Sequence, residues 1–368
     1  MARRIDRTIW LATIAIMIIG LAAIYSASSQ SVRVTKEVFY DQFFCALLGL
    51  AIMSFLSRFD YKKFYDFSYV LYISSVVFLT LVLVMGRYIL GARRWIEIGS
   101  INFQPSEFAK FALILILSRY FSNHVPSQIG RGRNFGETVV YTFIFPLFLM
   151  AVPALLIFKQ PDLGTAILIF LIFLILLFVN GVKVSYLLSF LGMCSVCAPF
   201  AWHILKPYQK ARLSVFLNPN ADPLGAGYTI IQSKIAVGSG MLFGRGWLSG
   251  TQNQLNFLPE RHTDFIFSVI GEEWGLLGAL FLILCFYVIV DRGLLIAQNT
   301  KDRFGFSLAS GIVTLLAIQA VINIGMVLGL FPVVGITLPM VSYGRSSFLT
   351  FVVMMGILLN LNRKQALS

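Results

Sequence analysis

Apolar residues in this chain come in long blocks, not in the short alternation of a half-buried strand, and polar residues collect between the blocks. A helix needs about 17–25 apolar residues to cross roughly 30 Å of hydrocarbon. Runs suited to that task fall near 9–27, 42–57, 68–86, 106–120, 138–158, 165–180, 184–203, 264–290, 305–329 and 346–361. The pattern predicts an all-α polytopic membrane protein with about ten transmembrane helices, forming a single integral membrane domain over 1–368. Between the seventh and eighth runs lies a long polar loop, 204–263. Within it, Pro223-Leu-Gly-Ala-Gly-Tyr228 reads as turns leading into a short helix, 229–236, in which Ile231 and Ile235 share a face. That helix is expected to lie at the membrane surface, with Gln232, Ser233 and Lys234 turned to a polar cavity or to water. Between the ninth and tenth runs, closely spaced prolines and glycines interrupt residues 329–344. Broken backbone at membrane depth is tolerated only when buried in protein or lining a cavity, so this stretch is expected to wall a site.

Composition sharpens the class. With 58% hydrophobic residues, 12% charged and 34 Phe in 368 residues, the chain has more apolar surface than a water-soluble core can hide. Residues 1–27 resemble a secretory signal, with basic residues, an apolar run and Ser26-Ala27-Ser28. The run exceeds the roughly 7–15 apolar residues of such signals, so an uncleaved first span is expected. Cys45, Cys194 and Cys285 fall inside predicted spans, and Cys194 and Cys197 form a CxxC without polar company. Core filling accounts for them.

Arg3, Arg4 and Arg7 before the first run and Arg363 and Lys364 after the last favour cytoplasmic termini, with Arg58, Lys62, Lys63, Arg131 and Arg133 in inner loops. About half of the 29 Lys and Arg nevertheless fall outside, mostly within 87–110 and 206–261. Long translocated loops escape the positive-inside rule, which is one account. An outward-facing site for an anion is the other.

Carboxylates at span ends narrow the search. Asp264 stands at the start of the eighth run, with Arg261 and His262 as the nearest counter-charges. A carboxylate inside a span costs about 2.5–3.5 kcal/mol at the helix centre and less near the interface, so its default reading is functional. A plain helix N-cap is the structural alternative. Glu107 and Lys110, three apart after Pro105, share a helical face and are expected to pair, either structurally or as part of the chemistry. Lys159-Gln-Pro-Asp162 brings a further carboxylate and cation to the same end of the bundle. Glu272 and Glu273 lie deeper, as a helix-packing hydrogen bond or a relay.

Taken together, Gly91-Ala-Arg-Arg-Trp95, Phe103-Gln-Pro-Ser-Glu107, Gln160-Pro-Asp162-Leu-Gly-Thr165, Asp222-Pro-Leu-Gly-Ala-Gly-Tyr228 with Gln232-Ser-Lys-Ile-Ala236, Leu258-Pro-Glu-Arg-His-Thr-Asp-Phe-Ile266 and Leu338-Pro-Met-Val-Ser-Tyr-Gly344 resemble the SEDS family (shape, elongation, division and sporulation proteins) along nearly the whole chain. The Pro-Glu-Arg-His form at 259–262 is similar to the rod-shape, or elongation, branch. The resemblance implies a peptidoglycan glycosyltransferase in the bacterial cytoplasmic membrane, polymerising lipid II on the outer face. The 4-hydroxyl of an acceptor N-acetylglucosamine would attack the anomeric carbon of a donor, with inversion and departure of polyprenyl pyrophosphate.

In that reading Asp264 takes the proton or orients the hydroxyl, and Arg94, Lys110, Lys210, Arg212 and Lys234 meet the pyrophosphate. Glu107 holds Lys110, and Asp162 shapes the rim or helps hold a divalent cation, magnesium or manganese. Gln232, Ser233, Glu260, Arg261, His262 and Ser342 complete the expected substrate-binding set. The expected partners are a class B penicillin-binding protein transpeptidase, other membrane proteins of the elongation machinery, and membrane lipids. The net charge of +13 calls for no nucleic acid, since anionic headgroups and pyrophosphate account for it. A lipid II flippase and a non-catalytic assembly scaffold are the competing readings. Two positions depart from the family pattern: Arg345 stands where Ser-Tyr-Gly-Gly-Ser has its second glycine, and Met241 where Gly-Ser-Gly-Gly has its last.

Overall fold

The computed structural model describes residues 2–29, 32–89, 92–99, 101–124, 139–225 and 227–365. Gly91, Arg131, Arg133 and Ala226, named above, lie outside them. Each predicted apolar run is a helix: α1 (Ala2–Ser28), α2 (Val32–Leu56), α3 (Lys62–Met85), α4 (Pro105–Asn123), α5 (Phe145–Lys159, entered through a wide turn at Val140–Ile144), α6 (Leu163–Val179) and α7 (Val184–Ile204), then, beyond the long polar segment, α11 (Ile266–Asn299), α12 (Arg303–Val327) and α13 (Arg345–Gln365). Seven of these, α1, α2, α3, the 140–159 helix and α11 to α13, are long and apolar enough to cross a membrane by length and composition. Two more, α6 and the 184–197 part of α7, are shorter apolar helices. α4 carries Glu107, Lys110 and Arg119 and is buried over most of its length, at the centre of the bundle against α3, α12 and α13.

Starts and stops follow local chemistry. Pro105 opens α4, where the missing N–H is no loss. Asp162 caps α6 by accepting from the Thr165 N–H at 3.2 Å, and Asp302 caps α12 through the Gly305 N–H at 2.7 Å.

Two regions differ from the sequence reading. The polar stretch after α3 is a three-stranded antiparallel sheet, β1 (Arg87–Ile89), β2 (Ala92–Ile98) and β3 (Ile101–Phe103) in that order, with Tyr88 opposite Arg93 and Ile96 opposite Phe103. Short alternating segments like these are too brief to stand out beside the long apolar runs. Among its described residues the segment 204–263 contains three α-helices, α8 (Pro207–Leu217), α9 (Tyr228–Ser239) and α10 (Thr251–Gln254), and a short 3-10 helix at Pro219–Ala221. α9 covers the expected helix but turns a different face inward: Ile230, Ser233 and Ala236 are buried, whereas Ile235 is exposed. It packs mainly on α11, so its inner face is set by a protein neighbour.

α11 is interrupted at Gly275, with φ 67° and ψ −162°. The hydrogen bonds lost there are replaced by the turn after α9. The Leu276 and Leu277 N–H groups donate to the carbonyls of Met241 and Leu242 at 2.9 and 3.2 Å, and the Glu272 and Glu273 carbonyls accept from Arg245 and Gly246 N–H at 3.0 Å each. Nearby, the Glu272 carboxylate accepts from the Gln252 N–H at 2.9 Å and the Asn253 N–H at 3.3 Å, while Glu273 accepts from the Ser26 hydroxyl and from Asn253 Nδ2. These two carboxylates therefore cap α10 and tie it to α1. These bonds are those of the helix-packing alternative.

Candidate active site

The backbone from Leu258 to Phe265 and the broken stretch 329–344 are fastened together. Ser342 Oγ donates to the Thr263 carbonyl at 2.6 Å and accepts from the Leu338 N–H at 2.8 Å, and the Tyr343 N–H donates to the His262 carbonyl at 2.9 Å. Asn323 of α12 donates through Nδ2 to the carbonyls of both Asp264 and Ile336, at 2.8 and 2.6 Å. The result places Asp264 against Gly335, whose φ is +72°. A Cβ at Gly335 would stand 3.5 Å from Asp264 Oδ2 and would be strained by that φ, so glycine keeps the space before the carboxylate open.

Asp264 is half-buried, and no hydrogen bond reaches its carboxylate among the described residues. Its pKa is pushed up to about 6, chiefly by burial, with the Glu260 charge adding to the rise and Asp162 adding less. Arg212 and Arg94 oppose it. The expected neighbours in sequence do not serve as counter-charges. Arg261 turns away, donating Nε to the Ala27 carbonyl at 2.7 Å and Nη1 to Asn256. The pKa of His262 is lowered by burial, which disfavours its charged form, and its ring lies 5.8 Å from that of Tyr343. The cations come instead from elements distant in sequence.

Arg94, on β2, donates to the carbonyls of Gln160 at 3.3 Å and of Pro161, with Asp162 at 3.9 Å. Arg212, on α8, donates to the Val333 carbonyl at 3.2 Å. Both line a small cleft with Gln209, Pro161 and the 332–334 backbone. Pro332 and Val334 also wall a second cavity of about 450 Å³, formed by α6, α12 and the broken stretch. Its lining is apolar throughout, including Ile167, Leu171, Ile318, Val321 and Ile336. A cation-lined cleft and an apolar groove thus share one wall, and Asp264 stands behind the same wall at Gly335. Lys234 is exposed and lies against Gly329, where a Cβ would come within 2.6 Å of Nζ. Lys210 is half-buried on α8, Gln232 half-buried on α9, and Glu260 is exposed and accepts from Thr263 Oγ1 at 3.2 Å.

Four further expected site residues, Lys110, Glu107, Ser233 and Ser342, are used elsewhere. Lys110 is 1% exposed, and its amine donates to Glu107 Oε1 at 2.8 Å and Gln319 Oε1 at 2.7 Å. Its amine is turned to these two side chains and not to the cleft, and Gln319 in turn donates to the Thr337 carbonyl at 3.0 Å. Ser233 is fully buried and donates to the Val327 carbonyl at 2.7 Å, because its face of α9 is the packed one. Ser342 spends its hydroxyl on the backbone fastening described above. Arg345 pairs with Asp41 of α2 and is not turned to the cleft. It begins α13, where helical backbone suits any residue, so the missing glycine costs nothing there. The sequence reading passed over Asn323 and Gln319. Their signal was two amides four residues apart in an otherwise apolar span.

Among the described residues, no three His, Cys, Asp or Glu side chains come together to hold a metal ion. Asp162, the expected helper, gives its oxygens to the Thr165 N–H and hydroxyl at 3.2 and 2.9 Å.

Residues 6–367 match the family profile FTSW_RODA_SPOVE, described as cell cycle protein. The chain is 39% identical to the peptidoglycan glycosyltransferase MrdB of Escherichia coli strain K12, over 97% of this chain and 93% of that protein. Its fold is similar to a chain in a structure of the coordination of polymerization and crosslinking by a peptidoglycan synthase complex, with TM-score 0.80, 32% identity and 98% of both chains covered. It is also similar to the crystal structure of the rod shape determining protein RodA of Thermus thermophilus, with TM-score 0.70, 28% identity and 97% and 96% coverage.

Proposed function

The chain belongs to the FTSW_RODA_SPOVE family, and from that premise and the geometry around Asp264 we propose that it is a peptidoglycan glycosyltransferase that polymerises lipid II during cell elongation. The observation that carries this reading is the shared wall: a carboxyl of raised pKa, a cleft with two arginines, and an apolar cavity meet on the stretch 329–344. Lipid II needs each part. Its polyprenyl tail fits the groove, its pyrophosphate the arginines, and the acceptor hydroxyl a base.

A base must be deprotonated to act, and a carboxyl of pKa about 6 is mostly ionised near neutrality yet more basic than an exposed aspartate. Asp264 would take the proton from the attacking 4-hydroxyl as its oxygen bonds to the anomeric carbon and the bond to pyrophosphate breaks. Arg94 and Arg212 are held by backbone carbonyls before substrate arrives, so they meet the growing negative charge of the leaving group with little rearrangement. A divalent ion, magnesium or manganese, would have to be held largely by the substrate's own phosphates. Activity in chelator, with and without either ion added back, tests that requirement.

The reading places the protein in the bacterial cytoplasmic membrane with both termini inside and Asp264 at the outer face. It gives the protein a class B penicillin-binding protein transpeptidase as partner, with other elongation-machinery membrane proteins nearby. The test is to incubate the purified protein, with its transpeptidase partner, with labelled lipid II, beside the Asp264→Asn variant. Glycan chains from the native pair alone support the reading. No chains from either, with lipid II crossing vesicles that carry the native protein, would replace it with transport.

A further inference from the structure

The turn between α9 and α10 holds its apolar side chains outward. Met241 is 81% exposed, Phe243 80%, Leu242 57% and Trp247 51%. This is not a loose loop, because its backbone completes the break in α11 through the four bonds at Leu276, Leu277, Glu272 and Glu273. Met241 also sits at φ +47°, a conformation that disfavours a side chain and at which the family pattern has glycine. An exposed thioether at a strained position has no rationale in water.

Three observations say what covers it. First, the turn adjoins α11 at residues 276 and 277, where the helix begins a lipid-sized apolar face with Leu276, Leu277, Leu280 and Phe281 all exposed. From Leu276 to Val290, before the part-exposed Asp291–Arg292 pair, that face extends roughly 22 Å at 1.5 Å per residue, most of one hydrocarbon thickness of about 30 Å. The break at Gly275 therefore falls near one edge of the bilayer. Second, Trp247 continues a line of aromatic rings at the ends of two other spans. Its ring lies 5.8 Å from Tyr25 of α1, which lies 5.4 Å from Phe39 of α2, itself 5.7 Å from Tyr40. Tryptophan and tyrosine girdles mark the membrane–water boundary. Third, Arg245 beside them is exposed and bonds Thr251 Oγ1 at 3.1 Å, a long cationic side chain of the kind that can lay its stem on lipid while its head stays polar.

We propose that the turn Met241–Leu248 is an interfacial foot that enters the lipid leaflet on the Asp264 side, continuing the aromatic girdle of α1 and α2. The partner is the lipid surface itself. Because the same turn is bonded into α11 eight to thirteen residues beyond Asp264, the foot sets the height of the active-site backbone relative to the headgroups. The inference rests on the chain being a membrane protein and not on the reaction assigned to it.

The test uses the full-length protein in lipid nanodiscs. Emission from Trp247 is the difference between the native protein and Trp247→Phe, and Phe243→Trp adds a second reporter in the same turn. The expected result is loss of most of both signals in lipids brominated high on the acyl chain, with little quenching by aqueous acrylamide. Strong acrylamide quenching without bromolipid quenching would put the turn in water and overturn the proposal. Bromolipid quenching that disappears when the purified transpeptidase partner is added would overturn it too, by making the turn a protein docking surface.

Discussion

Asp264 and Glu107 carry the same signal in the sequence, a carboxylate at the start of an apolar helix with a cation close by, and the fold treats them in opposite ways. Glu107 is 6% exposed and locked to Lys110, which is locked to Gln319, so its charge is matched inside the protein. Among the described residues no cation bonds Asp264, which feels only the more distant pull of Arg212 and Arg94 and stands behind Gly335 of the shared wall. A buried charge bonded to its counter-charge, as Glu107 is through Oε1, ties its surroundings together. A carboxylate left half-matched is available to a proton that arrives with a ligand. The lesson is that a charge in a span marks importance, and only its partners say of which kind.

Substitutions should separate the two. Asp264→Asn keeps the shape and removes the base, and polymerisation is expected to fall by about 10²-fold or more with the melting temperature unchanged; near-normal chain formation on gels would break the comparison. Lys110→Met strands a buried carboxylate, and the expected loss is about 3–5 kcal/mol of stability, read as a lower unfolding midpoint in detergent. Pairing it with Glu107→Gln should recover most of that loss, since a neutral pair needs no counter-charge. If the double variant stays unstable, the network is more than an ion pair.

Smaller effects bear on the cleft. Arg212→Ala is expected to raise the apparent KM for lipid II by about tenfold, the scale of one charge-assisted contact. The native rate should decline as pH falls through about 6, because protonation removes the base. Arg212 is the larger of the two charges that hold Asp264 down, so its loss should move this acid limb to higher pH. A limb that does not move would detach Arg212 from Asp264. The smallest change is expected from Arg345→Gly. The Arg345–Asp41 pair is 24% and 38% exposed, and such pairs contribute at most about 1 kcal/mol. A clear loss of polymerisation there would give Asp41 and Arg345 a part in the site.

The sequence by itself determined the membrane class, the existence and order of the apolar helices, though α2 starts ten residues before its run and α11 ends nine after its own, and the broken stretch 329–344, and it singled out Asp264 as a candidate. Each of these is written locally, in run length, proline and glycine spacing, or a charge out of place. The counter-charges of Asp264 were not legible. Arg261 and His262 are adjacent in the chain, but the fold turns them to α1 and to Tyr343 and brings Arg94 and Arg212 from elsewhere. Nor could the inward face of α9 be read, since Ile231 and Ile235 made an equally good stripe until α11 chose Ile230, Ser233 and Ala236. Periodicity fixes that a helix has faces, and a neighbour brought close by the tertiary structure fixes which one is buried.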